Sequence, residues 1–243
     1  MARAFNGSES IATSANVAIP AALSLAVWHR PTAMSNAYST IVGISAGTGF
    51  AQIHLKSIGK LAYYLRDSAG GTSFIDPGTA AVSTNVWCHS AFTYSAANGL
   101  RTYFNGASDG TTASTGNPAN ASAAPFTVSV DTNNAGRNYS GSIADATLWS
   151  AEFSAAEIVA LAKGARPRSI RPLSLSVWWP LDGLRSPEPD LSGNARNGVL
   201  SGSSIGSGPP FMAFTPRWRE YLPPISQISV SYQRAQQILM TGP

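Results

Sequence analysis

Short runs of alternating apolar and polar positions dominate this chain. In Leu23–Pro31 (LSLAVWHRP), Leu23, Leu25, Val27 and His29 share one face and Ser24, Ala26, Trp28 and Arg30 the other, the period of a β-strand. Large residues on both faces predict a central strand, and Pro31 ends it. STIVGIS, GFAQIHLK and KLAYYLRD read as three more strands, the last two joined as a hairpin across Ser57–Gly59. Adjacent Tyr63 and Tyr64 must put one ring on each face of their sheet. TNVWCHSAFTYS predicts a strand from Asn85 to Tyr94, followed by an AANG turn and the strand LRTYFNG. SIATSANVAI, FTVSVD, LSLSVWWPLDG (Leu173–Leu181) and the end of DLSGNARNGVL complete the series.

One stretch departs from this period. Asn138–Gly164 reads as an outer strand, a tight connection and a helix. Ser154 is a helix N-cap, Glu157 three residues on completes a capping box, and Ile158, Leu161 and Ala162 form an apolar stripe that Gly164 stops. About twelve strands at roughly eight-to-twelve-residue spacing, with one short helix, predict an all-β fold: a two-sheet antiparallel β-sandwich or jelly roll. Residues 1–208 form this domain. The Gly/Ser-rich run SGSSIGSGPP then leads into a C-terminal extension, 209–243, which is too short to build its own core. Its large aromatics Phe214, Trp218 and Tyr221 either pack back on the sandwich or anchor a partner.

Composition sharpens this picture. Charged residues make up only 12% of the 243 positions, and 44% are apolar, enough for a substantial core. The net charge of +4 is entirely C-terminal in origin: residues 163–243 carry nine basic and four acidic groups. The clusters Arg166, Arg168 and Arg171, then Arg217 and Arg219, read either as solvated loop charge or as docking points for an acidic partner. Nucleic acid is not expected, because no basic helix or binding motif accompanies the charge. No apolar run is long enough for a transmembrane helix, and MARAFNGSES lacks the apolar core of a secretion signal. The expectation is a protein made and folded in a cytoplasm. The single cysteine, Cys88, excludes an internal disulfide and a cysteine-based zinc site, and reads as a small buried hydrophobe.

WCHSAFTYSAANGLRTYFNG resembles the paired strands of laminin G-like, concanavalin A-like domains at Trp87, His89, Ala91, Leu100, Tyr103, Asn105 and Gly106. Gly141, Ile143, Asp145, Trp149, Phe153, Ser154, Glu157 and Ile158 resemble the family's late strand and helix. Trp179–Asp182 and Asp190–Gly198 resemble a further recurring element, and FNGS its first strand. The resemblance spans roughly residues 3–200. It implies a jelly roll, and binding more often than catalysis. It also implies a kinship with phage virion components, given the extra terminal segment.

Retaining glycosidases of this fold carry an E-x-D-x-x-E strand that holds carboxylates about 5–5.5 Å apart. The motif is absent here: the only acidic pair two apart is Glu188-Pro189-Asp190, beside a turn. His29, His54 and His89 all fall in strands, no G-x-S-x-G elbow occurs, and His89 reads as a hydrogen-bonded structural residue. No cofactor is expected. Asp67, Asp76, Asp131, Asp145 and Asp190 are scattered, which allows at most a weak calcium site, and Asp190–Asn194 suits an Asx turn. Glycan recognition needs aromatic platforms beside amides and hydroxyls. The candidates are Tyr38, Tyr64, Phe74 and Tyr139 with Asn133 and Asn134 of the Thr132–Asn138 loop. The expectation is a non-enzymatic virion protein, a capsid or tail decoration, in a homo-oligomer or larger assembly. Its partners would be other virion proteins or copies of itself, its rim loops would meet cell-surface glycans, and Arg166, Arg168, Arg171, Phe214, Arg217, Trp218, Arg219 and Tyr221 would dock it. The alternative is a free carbohydrate-binding lectin, and a hydrolase ranks third.

Overall fold

A computed structural model describes residues 1–210 other than 47, 48, 68, 115, 121 and 184. The chain divides into two units, Met1–Phe211 and Met212–Pro243. The second lies outside the described residues, and with it Phe214, Arg217, Trp218, Arg219 and Tyr221.

The described residues form fifteen strands and one α-helix. The strands are β1 (Ala2–Asn6), β2 (Ser10–Thr13), β3 (Leu23–Pro31), β4 (Ser39–Ala46), β5 (Gly49–Leu55), β6 (Leu61–Arg66), β7 (Thr72–Ile75), β8 (Cys88–Ser95), β9 (Gly99–Phe104), β10 (Ala107–Thr112), β11 (Phe126–Val128) and β12 (Ser140–Trp149), then, after the helix, β13 (Leu175–Trp179), β14 (Gly198–Ser201) and β15 (Ser204–Gly206). The helix α1 is Ala155–Ala162. Two antiparallel sheets make a sandwich. One runs β10-β9-β8-β3-β12-β1-β15 with β13 also on β12, and the other runs β14-β2-β11-β4-β5-β6-β7.

The alternation in β3 decides two cores at once. Leu23, Leu25 and Val27 enter the main core between the sheets, with Ile41, Ile53, Tyr63, Phe92, Phe126 and Trp179. Ala26 faces the other way into a second cluster, where Trp149, Phe153, Ile158, Leu161 and Trp178 pack between the eight-stranded sheet and α1. The helix begins as its residues dictate. Ser154 Oγ accepts from the Glu157 amide, and Glu157 Oε2 accepts from the Ser154 amide at 2.8 Å.

Four local expectations change. The strand of the 138–164 stretch is central, not outer: β12 pairs β3 on one edge and both β1 and β13 on the other. Its residues are buried on both faces, as Ile143, Ala144, Leu148 and Trp149 show, which is what a middle strand requires. The 85–94 strand starts only at Cys88, because Asn85 sits at φ 62° and turns its amide to Pro31. The 173–181 strand is shorter, because Pro172–Ser174 forms a 3-10 turn and Leu181 leaves the sheet at φ 55°. The first long strand ends at Thr13, with Val17 returning to form a single bridge to Ala124. Among the described residues no helix is long and apolar enough to cross a membrane.

Candidate functional site

β5 carries a second alternation. Ala51, Ile53 and Leu55 enter the core, so Phe50, Gln52 and His54 must lie on the outer face of the seven-stranded sheet. Cross-strand pairing brings Tyr64 of β6 opposite Gln52, and Phe74 of β7 opposite Tyr64. The loop between β11 and β12 lies over this face, tied down by the Thr40 amide donating to the Arg137 carbonyl at 2.7 Å. The result is a cleft of ≈ 300 Å³ lined by Tyr38, Phe50, Gln52, His54, Tyr64, Asn134 and Arg137. That volume is at the small end for ligand sites.

The aromatic rings form one continuous group. Tyr64 stacks on Phe74 at 5.9 Å and 18°, and meets Phe50, His54 and Tyr38 edge to face at 6.3, 5.6 and 6.3 Å. Phe74 stays 51% exposed, so the group presents an apolar ring face to solvent.

At the floor lies Gln52, only 3% exposed. One of its polar atoms meets His54 Nε2 at 3.2 Å. The other, Nε2, has no hydrogen-bond partner of regular geometry, although it lies close enough to Asp131 to help hold that carboxyl charged. A buried amide N–H left wholly without a partner costs about 1–3 kcal/mol, a cost that nearness to Asp131 offsets. Gly43 makes this possible. It pairs with Gln52 across the ladder, and a Cβ there would meet Gln52 Cγ at 2.6 Å and the Ala51 carbonyl at 2.7 Å.

Two cations in and around the cleft are paired. Arg137 bonds to Asp131 at 3.2 Å and lies over the Tyr38 ring. Lys56 pairs with Asp76, which also accepts from Tyr38 at 2.6 Å and from Tyr64. Burial pushes both carboxyls up, but their donors outweigh it: Lys56, Tyr38 and Tyr64 hold Asp76 below the usual range, and Asn134, the Asn133 amide and Gln52 do so for Asp131. Burial lowers His54 to about 4, so near neutrality it is uncharged, bonding Thr40 Oγ1 at 3.1 Å with its other nitrogen. Among the described residues that line the cleft none is a carboxylate.

The structure brings four of the six expected glycan residues together: Tyr38, Tyr64 and Asn134 line the cleft, and Phe74 flanks it. Asn133 shares their loop but does not line it. Tyr139 is fully buried, its hydroxyl 3.2 Å from His29 Nδ1. It immediately precedes the central strand β12 and lies inside the core, so it is no platform. Phe50, Gln52, His54 and Arg137 join them in the lining. The sequence signal for the first three is the outward-facing set of β5, whereas Arg137 lies in the loop before β12.

Other polar residues are structural. His29, lowered to about 3 by burial and then by His89, bonds Ser90 at 2.8 Å beside Cys88. His89 is buried but its Nδ1 has no partner; Asn105 instead accepts from its backbone N–H. Asp67 caps the amides of Gly71 and Asn117, and Asp190 those of Ser192, Trp178 and Arg196, an Asx turn of the kind expected. Asp145, at φ 47° in a bulge of β12, accepts from Trp178 Nε1 at 2.8 Å, and burial raises it to about 6. Among the described residues no three His, Cys, Asp or Glu side chains converge on a metal-sized site. Arg166 and Arg168 are exposed, whereas Arg171 is held by Glu157 in a two-point bond of 2.6 and 2.9 Å.

The family model of concanavalin A-like lectins and glucanases, Laminin_G_3, matches residues 5–159. The chain belongs to this superfamily. No curated protein matches the sequence. Among solved structures, the domain is similar to a carbohydrate-binding protein described as putative from Bacteroides ovatus, at 18% identity and TM-score 0.65, over 85% of this chain and 59% of that one. It is similar to domain 4 of the extracellular arabinanase AbnA from Geobacillus stearothermophilus, solved with arabinotriose, at 16% identity and TM-score 0.55, over 66% and 76%. It is also similar to a heptameric SAP-like pentraxin from Limulus polyphemus, at 16% identity and TM-score 0.53, over 66% and 81%. At these identities the likeness is one of fold.

Proposed function

We propose that this chain is a non-enzymatic glycan-binding domain whose site is the cleft on the seven-stranded sheet. The observation that carries this reading is the continuous aromatic group of Tyr38, Phe50, Tyr64 and the half-exposed Phe74 along a cleft floored by Gln52. The exposed ring face of Phe74 beside Tyr64 receives the C–H face of a pyranose or furanose ring. Asn134 and Arg137 reach the ligand from the overlying loop, in the arrangement of few placed polar groups within an apolar wall that orients small ligands. The family membership and the carbohydrate-binding neighbours support the same reading. The test is a glycan array with the full chain, repeated with Gln52→Leu. Binding that disappears in the variant supports the site, and binding that persists moves it elsewhere.

The wider role we propose is that of a phage particle component, made in a host cytoplasm and carried in the virion. The exposed Arg166 and Arg168 and the segment after Gly208 dock it to other virion proteins or to copies of itself. What supports this is the exposure of Arg166 and Arg168, neither of which is ion-paired among the described residues, and an aromatic, basic sequence after Gly208. Deleting residues 209–243 tests it: a truncated protein that still enters the particle overturns the docking role. A free lectin, the alternative, binds glycans equally well with no particle at all.

A further inference from the structure

We infer that the ligand of this face is an acidic saccharide whose anionic group is held by Arg66; this rests on the glycan-binding reading above and names its ligand class. The strand period puts Arg66 on the outer face. Tyr63 and Leu65 enter the core, so Tyr64 and Arg66 point the other way. Arg66 pairs with Phe50 on one side and Thr72 on the other, in the row next to Gln52, Tyr64 and Phe74. Residues in adjacent rows of one face lie within reach of a long side chain. Arg66 Nη2 stands at the β6–β7 turn, 3.7 Å from where a Cβ on Gly70 would be. The guanidinium therefore sits at the rim of the aromatic face, one row from the Tyr64–Phe74 stack.

The other charges around this face are already matched. Arg137 is bonded to Asp131, and Lys56 to Asp76. Asp67, next in the chain, turns to the inner side with Leu65 and Ser73, where its oxygens accept from the Gly71 and Asn117 amides. Arg66 has no ion pair among the described residues. Its Nε is buried without a partner and the side chain as a whole is partly exposed, so its terminal nitrogens are the part that meets solvent. An arginine keeps its charge at every physiological pH and presents a planar fork that matches an oxyanion. Charge-assisted bonds of this kind are about twice as strong as those a neutral hydroxyl accepts. A sugar lying on the open face of Phe74 brings an acidic substituent toward Arg66 at the rim.

The test is titration calorimetry of the full chain with oligogalacturonate, sialyllactose and a sulfated galacto-oligosaccharide, each beside its neutral counterpart. The expected result is an acidic member binding at least about tenfold more tightly than its counterpart, with an affinity that falls as salt is raised past physiological strength. The carboxylate and sulfate arms tell which oxyanion is read. In Arg66→Gln the preference should shrink to less than about threefold while the neutral sugar still binds. Arg66→Met, which keeps an apolar stem, serves the same purpose should the first variant not fold. Equal affinity for the two classes, preference for the neutral one, or a preference undiminished in the folded variant overturns the inference and leaves the glycan-binding reading in place. Binding to neither class by the unaltered chain overturns that reading and the inference with it.

Discussion

His54 Nε2 and the Gln52 side-chain oxygen lie 3.2 Å apart across the outer face of β5, and the Asp131 carboxylate on the other side of the amide fixes its sense. His54 therefore carries its proton on Nε2 and accepts at Nδ1 from Thr40. A neutral histidine thus orients the amide at the floor of the cleft.

Replacing Gln52 should cost both stability and binding. Gln52→Leu leaves the buried His54 Nε2 without its partner, so stability should fall by about 1–3 kcal/mol. Glycan affinity should fall by about tenfold or more. Thermal melts and titration on the same samples check both, and unchanged affinity in the folded variant would place the sugar away from Gln52.

Phe74 is half-exposed at the edge strand β7, so its truncation opens no cavity. Phe74→Ala should leave stability within about 0.5 kcal/mol and weaken glycan binding by removing the open ring face. Unaltered affinity would place the sugar away from this aromatic group.

The three histidines predict acid sensitivity. Burial lowers His29 and His89 to about 3 and His54 to about 4 in the folded protein, whereas the unfolded chain takes up protons near the ordinary value of about 6.5. Between these values the unfolded state binds more protons, so stability is complete above pH 6.5 and falls as pH drops toward 4. Each histidine contributes at most about 1.4 kcal/mol per pH unit. Denaturant melts between pH 7.5 and 5 should show this decline, and a flat profile would contradict the neutral burial of these rings.

Arg3 and Glu188 form a fully buried pair at 2.8 Å, with the Leu181 amide donating to the second Glu188 oxygen at 2.7 Å. Glu188→Gln leaves Arg3 buried without its countercharge and should cost about 3–5 kcal/mol. Urea unfolding measures it. A small loss would mean that solvent reaches Arg3 in the variant.

Much of the fold was legible because strand alternation and helix capping are local. The opposite faces of Leu25 and Trp28, the split of Tyr63 from Tyr64, and the Ser154–Glu157 box all follow from side-chain period and backbone donors within a few residues. Likewise Tyr38, Tyr64, Phe74 and Asn134 could be chosen by residue type. The failures share one cause. Tyr139 looks like a rim aromatic until its neighbours β3 and β1 are known, and β12 looks like an edge until three partners close on it.

What the residue order determined by itself, then, was which positions alternate, where the helix starts, and that the E-x-D-x-x-E pattern does not occur. Only the tertiary structure decided which face of the seven-stranded sheet stays open, because that depends on where a loop eighty residues downstream of Gln52 is tied to Thr40. The amide at Gln52, the paired charges at Arg137 and Lys56 and the open face of Phe74 are properties of that closure. Residues far apart in the chain acquire them together when the loop lies over the sheet.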